Sequence, residues 1–259
     1  MIREECSMPM NKGVNIGISE LVERRIKTWK TDETKAEPKP DEKEKKVRFY
    51  IAISRECGCN AEIIASNLEA RTGFIKYDQE ILNYIAKDDE VRRKLFETLD
   101  DRSMGWIESI CSALSLGPSV NEEEYFNRLT HELLAICHNS HAIIVGRAAN
   151  FILPREYGLA VRLVAPRDYR LEKFAKRMNL DLKTALMQME RIDAGRGNFV
   201  ETHFGKYAFD PRRYDLVINV AQYSDEQVVD LIMLALQAKA GDTLQLPVAQ
   251  QEPMQRGVV

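Results

Sequence analysis

The sequence predicts an α/β fold: a parallel sheet of about five strands with helices on both faces. Three observations predict it. Short apolar runs with little alternation recur at residues 47–54, 74–77, 142–145, 159–164 and 216–219, as strands buried on both faces require. Helical patterns separate these runs. The first run passes through a turn containing Gly58 directly into a helical pattern with Ile64 and Leu68 on one face.

From the N-terminus, residues 1–46 read as separate from the main domain. Leu21, Val22, Ile26 and Trp29 fall at helical spacing behind Ser19, which is placed as an N-cap. This short helix suits docking on the main domain or on a protein partner; a solvated, half-formed helix is the alternative. Residues 35–46 are almost all charge and proline, and such a stretch buries too little apolar surface to offset its ordering entropy. A disordered linker is expected there. The main domain spans 47–240. Between its second and third strands, residues 80–140 form a long, mostly helical insertion. The last helix opens on a capping box, Ser224 to Gln227, and turns Val228, Val229, Ile232 and Leu236 toward the core. Residues 241–259 read as a flexible tail.

Composition narrows the function. The chain has 259 residues, 44% hydrophobic and 30% charged, which suits a soluble globular protein. A net charge of -3 argues against a dedicated nucleic-acid binder. No run approaches the ~18 apolar residues of a membrane span, and no signal region is evident, so a cytoplasmic protein without membrane contact is expected. Five cysteines are an odd number. Cys57 and Cys59 are close, but Cys111 and Cys137 lack paired spacing, so they are read as small residues in a tight loop and no metal site is expected. His131, His138 and His141 lack a third ligand and read as structural; the role of His203 is open.

Strand, glycine turn and helix is the layout of a phosphate-binding loop, in which the helix N-terminus offers unpaired N–H groups to an anion. The Walker pattern also needs a lysine for the phosphates and a hydroxyl for magnesium. This chain has Cys59, Asn60, Ala61 and Glu62 there. Glu62 suits the helix dipole but opposes a phosphate. Asn60 is able to take the left-handed conformation that a lost glycine vacates. Elsewhere, Arg147 follows the third strand, where ligands of open α/β sheets bind and a guanidinium clamps phosphate with two parallel bonds. The bland reading is a surface ion pair. Asp78 follows the second strand, either as the cap of the next helix or as an acceptor-orienting carboxylate. Asp193 and Arg196 form a D-x-x-R after a helical segment at 181–192, which also reads as an i,i+3 ion pair. Arg170, Lys173 and Arg177 share one face of the helix that begins after Pro166.

The ordered pieces ISRECG, YDQEIL, YFNRL, AIIVGRAANFIL, RIDAGR and FDPRRYDLVIN, spread over roughly residues 47–236, resemble the cytidylate kinase-like proteins, a branch of the P-loop nucleoside monophosphate kinases. The resemblance implies a P-loop kinase fold in which the helical insertion binds the acceptor. It implies ATP and Mg2+ as cofactors and transfer of the γ-phosphoryl group to CMP, dCMP or a similar monophosphate. Ser54, Arg55, Gly58, Cys59, Asn60, Ala61, Glu62 and Ile63 then form the ATP loop, although relatives read close to Gly-Ser-Gly-Gly-Arg where this chain has Gly58 to Glu62. Arg170 and Arg177 become catalytic arginines of a lid. Asp78, Arg147, Asp193 and Arg196 become acceptor ligands, with Asp193 reading the cytosine amine. The eroded loop keeps a second class open: a nucleotide-binding regulatory module of the same fold.

Overall fold

Tyr50, Ile51, Ala52 and Ile53 are all buried, and their alternation divides the core in two. They belong to β1 (Tyr50–Arg55), the middle strand of a five-stranded sheet with β2 (Ile75–Tyr77), β3 (Ala142–Val145), β4 (Gly158–Val164) and β5 (Leu216–Asn219). The order is β2-β3-β1-β4-β5, and every pairing is parallel. This computed structural model describes residues 47–97, 99, 101–114, 120–205, 209–241 and 244, together with Glu20 and Val22. The linker expected at 35–46, nearly all of the tail expected at 241–259 and most of the helix expected at 19–29 lie outside the described residues.

Tyr50, Ala52, Tyr77, Ala142 and Ile144 face the first core cluster, which also holds Val22. Covering it are α2 (Gln79–Lys87), α3 (Asp89–Phe96), α4 (Asp101–Leu114) and α5 (Val120–Asn139), the expected helical insertion. Ile51, Ile53, Ile143, Val145, Val161 and Leu163 face the opposite cluster. There they meet α1 (Ala61–Thr72) and α9 (Asp225–Ala240). The capping box of α9 is formed as expected, with Ser224 and Gln227 each bonding the other's backbone. A short α6 (Ala149–Ile152) comes after β3.

The strand boundaries move by a few residues from the sequence expectation. Val47 and Arg48 precede β1, and Arg55 belongs to it. A larger correction concerns the D-x-x-R. After α7 (Arg167–Met178), α8 runs unbroken over Leu182–Phe204, so Asp193 and Arg196 lie inside a helix rather than beyond one. Gly195 and Gly197 lower helix propensity, but tertiary packing carries the helix through. Phe199, one turn further on, packs against the first cluster and meets Tyr125 edge-on at 6.4 Å.

α7 and α8 form a hairpin with its own small core: Cys57, Phe174, Ala175, Ala185 and Met189. Cys57 therefore ties this hairpin to the loop after β1. Cys59 points into the second cluster instead. The two thiols serve separate cores, which explains small apolar residues at both positions. Burial raises the pKa of Cys57 and pushes that of Cys59 up to about 12.

Candidate functional site

The loop from Glu56 to Asn60 connects the carboxyl end of β1 to α1. Gly58 has φ 93° and Asn60 has φ 52°, so the chain uses the left-handed region twice in three residues. Asn60 fills the N-cap position without a side-chain bond to the helix; its amide instead reaches Asp225 at 3.4 Å. The N–H groups of Gly58, Asn60, Ala61 and Glu62 find no acceptor among the described residues. That leaves four amides close in sequence at a helix N-terminus, a fit for a phosphate anion. The side chains do not fit a Walker magnesium site. Ser54 Oγ accepts from Arg162 at 3.2 Å, Ala61 carries no hydroxyl, and the Glu62 carboxylate lies 3.7 Å from Arg55. The side chain of Ile63 is exposed.

The fifth amide, that of Cys57, is taken. It donates to Asp193 Oδ1 at 2.8 Å. Asp193 Oδ2 accepts from Arg170 Nη1 at 2.6 Å, and the same nitrogen reaches Cys57 O at 3.2 Å. Arg170 Nε donates to Ala165 O and lies 3.3 Å from Glu56. Arg170 is thus bound to the loop, to the residue after β4 and to α8. Arg177 is exposed and lies over the Phe174 ring at 5.6 Å.

The neighbouring strand, β3, is followed by Gly146, Arg147 and Ala148, all with positive φ. Two consecutive non-glycine residues in that region carry strain of the kind that clusters at ligand sites. Arg147 donates to Asn83 Oδ1 of α2 and stands over the Tyr125 ring at 5.8 Å. Its Nε is buried without a hydrogen-bond partner. Arg196 Nη1 is likewise buried without one; its nearest carboxylate is Asp193 at 3.7 Å. The charges of both also reach Arg55. Burial, reinforced by repulsion from Arg196 and Arg147, lowers the Arg55 pKa to about 10.

Asp78 accepts from Ile81 N at 3.0 Å and caps α2. Glu132, which sequence reasoning missed, is fully buried on α5. Its Oε1 lies 3.1 Å from Arg92 Nε, yet neither oxygen makes a directed hydrogen bond. Burial raises its pKa to about 7 against the attraction of Arg92, Arg128 and Arg147. Its only sequence signal was a charge on the apolar face of α5. Among the described residues no helix is long and apolar enough to cross a membrane.

A model of the cytidylate kinase-like family matches residues 50–222. No curated protein matches the chain. Among solved structures, an uncharacterized protein from Eubacterium ventriosum is 22% identical with a TM-score of 0.60, over 74% of this chain and 99% of that one. A shikimate kinase from Aquifex aeolicus is 16% identical with a TM-score of 0.38, over 74% and 98%. A gluconokinase from Sinorhizobium meliloti is 14% identical with a TM-score of 0.40, over 76% and 96%.

Proposed function

Because this chain belongs to the cytidylate kinase-like family, we propose that it is a phosphotransferase that moves the γ-phosphoryl group of ATP to a nucleoside monophosphate of the CMP type. The observation that carries this reading is the pair of anion-seeking features at the carboxyl ends of β1 and β3. One is the run of unpaired amides at Gly58, Asn60, Ala61 and Glu62. The other is the pair of half-buried guanidinium groups beyond it, Arg147 after β3 and Arg196 on α8, each with one buried N–H lacking an acceptor. One suits the phosphates of a donor and the other the phosphate of an acceptor.

In this reading the loop amides hold the donor phosphates, and the donor supplies the transferred group. Arg147, fixed by Asn83, orients the acceptor phosphate. Arg196 closes the same side from α8. Asp193 has its carboxylate directed at Cys57 N and Arg170, so reading a base amine requires it to leave them. Arg170 and Arg177 neutralise charge on the transferred group only after Arg170 is released from Glu56 and Asp193. Ala61 offers magnesium no hydroxyl, and the Glu62 carboxylate sits 3.7 Å from the Arg55 guanidinium. Each missing donor to a charged transition state costs about 3–4 kcal/mol, or ~100–1000-fold in rate. The enzyme is therefore slow.

One observation favours a second reading, a nucleotide-binding module without turnover: Asp193 already occupies an amide of the loop. Calorimetry with ATP and CMP, separately and together, alongside a CDP-formation assay, separates the two. Binding of both with slow CDP formation supports the enzyme. CMP binding alone, without CDP, supports the module. Binding of neither overturns both.

A further inference from the structure

Arg55 ends β1, but its guanidinium lies across the end of β3. A Cβ on Gly146 would collide with Arg55 Nη1, so the glycine leaves the space the arginine fills. The Arg55 side chain is only 10% exposed. Among the described residues it donates no hydrogen bond, and Glu62 at 3.7 Å is too distant for one. Arg147 and Arg196 stand close enough to repel it.

Three guanidinium groups thus share one half-buried place with too few acceptors. The carboxylates that reach them have other claims. Glu62 is nearly half exposed. Asp193 gives its oxygens to Cys57 N and Arg170. Glu132 faces Arg92. Buried charges without counter-ions are costly, and a group with several acceptor oxygens and two negative charges offsets that cost best. We propose that Arg55, Arg147 and Arg196 form a single seat for the dianionic phosphate of a phosphate monoester, with Arg55 serving this seat rather than the donor loop. That the monoester is the acceptor rests on the kinase reading; the seat itself does not.

The test is thermal melting of the full chain and of Arg55→Gln and Arg55→Lys, titrated with inorganic phosphate, CMP, cytidine and ATP. Phosphate and CMP should raise the melting temperature of the parent, and cytidine should not. Arg55→Gln should weaken phosphate and CMP at least about tenfold, as loss of a charged hydrogen-bonding partner does, and leave ATP affinity unchanged. Lysine keeps the charge but not the fork, so Arg55→Lys should retain only part of the affinity. Unliganded Arg55→Gln should melt at or above the parent, because a buried charge whose nearest carboxylate is the half-exposed Glu62 is gone. Should Arg55→Gln not fold, Arg55→Lys decides by the same criteria. A variant that melts lower and keeps the parent's CMP and phosphate affinity makes Arg55 structural and overturns the seat. Loss of ATP binding with CMP binding intact assigns Arg55 to the donor and also overturns it, as does a parent that binds neither phosphate nor CMP. A parent that binds CMP through Arg55 and forms no CDP overturns the kinase reading and leaves the seat standing.

Discussion

On the proposed kinase reading, Asp193 is the residue on which donor binding turns. Its two oxygens hold the Cys57 amide and the Arg170 guanidinium, so a carboxylate already occupies one amide of the loop. Asp193→Asn keeps a group able to accept from Cys57 N but removes the charge. Two like charges ~6 Å apart near a protein surface repel by roughly 3 kcal/mol before salt screening. Even half of that relief amounts to about a tenfold gain in ATP affinity by calorimetry. Weaker ATP binding by Asp193→Asn would show that the carboxylate helps to shape the loop instead. The D-x-x-R spacing that marks Asp193 and Arg196 is visible in the sequence. The Cys57 amide, 136 residues away, is not, because only the packed α7–α8 hairpin brings it there. For the same reason the sequence shows Arg55 beside the loop but not that it leans over Gly146.

Among the elements, α5 carries the clearest pH signal. Glu132 has a folded pKa raised from the ordinary glutamate value to about 7. The folded state therefore holds a proton that the unfolded state releases between the ordinary value and about 7. Stability contributed this way is full at the acid end and falls as pH rises through that window. A shift of that size corresponds to about 3 kcal/mol. Glu132→Gln should flatten the decline and melt above the parent at pH 8, with little difference at pH 4.5. Parallel slopes for the two proteins between those values would place the titrating group elsewhere. The strands themselves were legible because buried parallel strands are continuous apolar runs; β3 and β5 have the expected bounds. So were the caps, since Asp78 and Ser224 act within three residues of themselves. The middle of α8 was not, since Gly195 and Gly197 argue locally for a break that the packing of Phe199 overrides.

At the scale of the molecule, the contact between Gly58 and Arg170 ties the loop after β1 to α7. A Cβ on Gly58 would strike the Arg170 carbonyl oxygen, so the loop after β1 and the first turn of α7 touch backbone to backbone. Cys57 sits within the small core of the same hairpin. Hinging between loop and lid would open that core and break the Arg170 bonds together. On the proposed kinase reading, the roof over the donor is then joined to its floor, and enclosure of a second substrate falls to the helices α2 to α5, of which α2 holds Arg147 through Asn83. Hydrogen exchange of the full chain should then show CMP slowing amides within 79–139, with little change over 167–178 when ATP is added. A large change confined to 167–178 would mean that the roof lifts after all. If it does not, the proposed reading sets an order of events: the donor side keeps its backbone in place, Arg170 and Asp193 change only their side-chain partners, and the acceptor brings its own door.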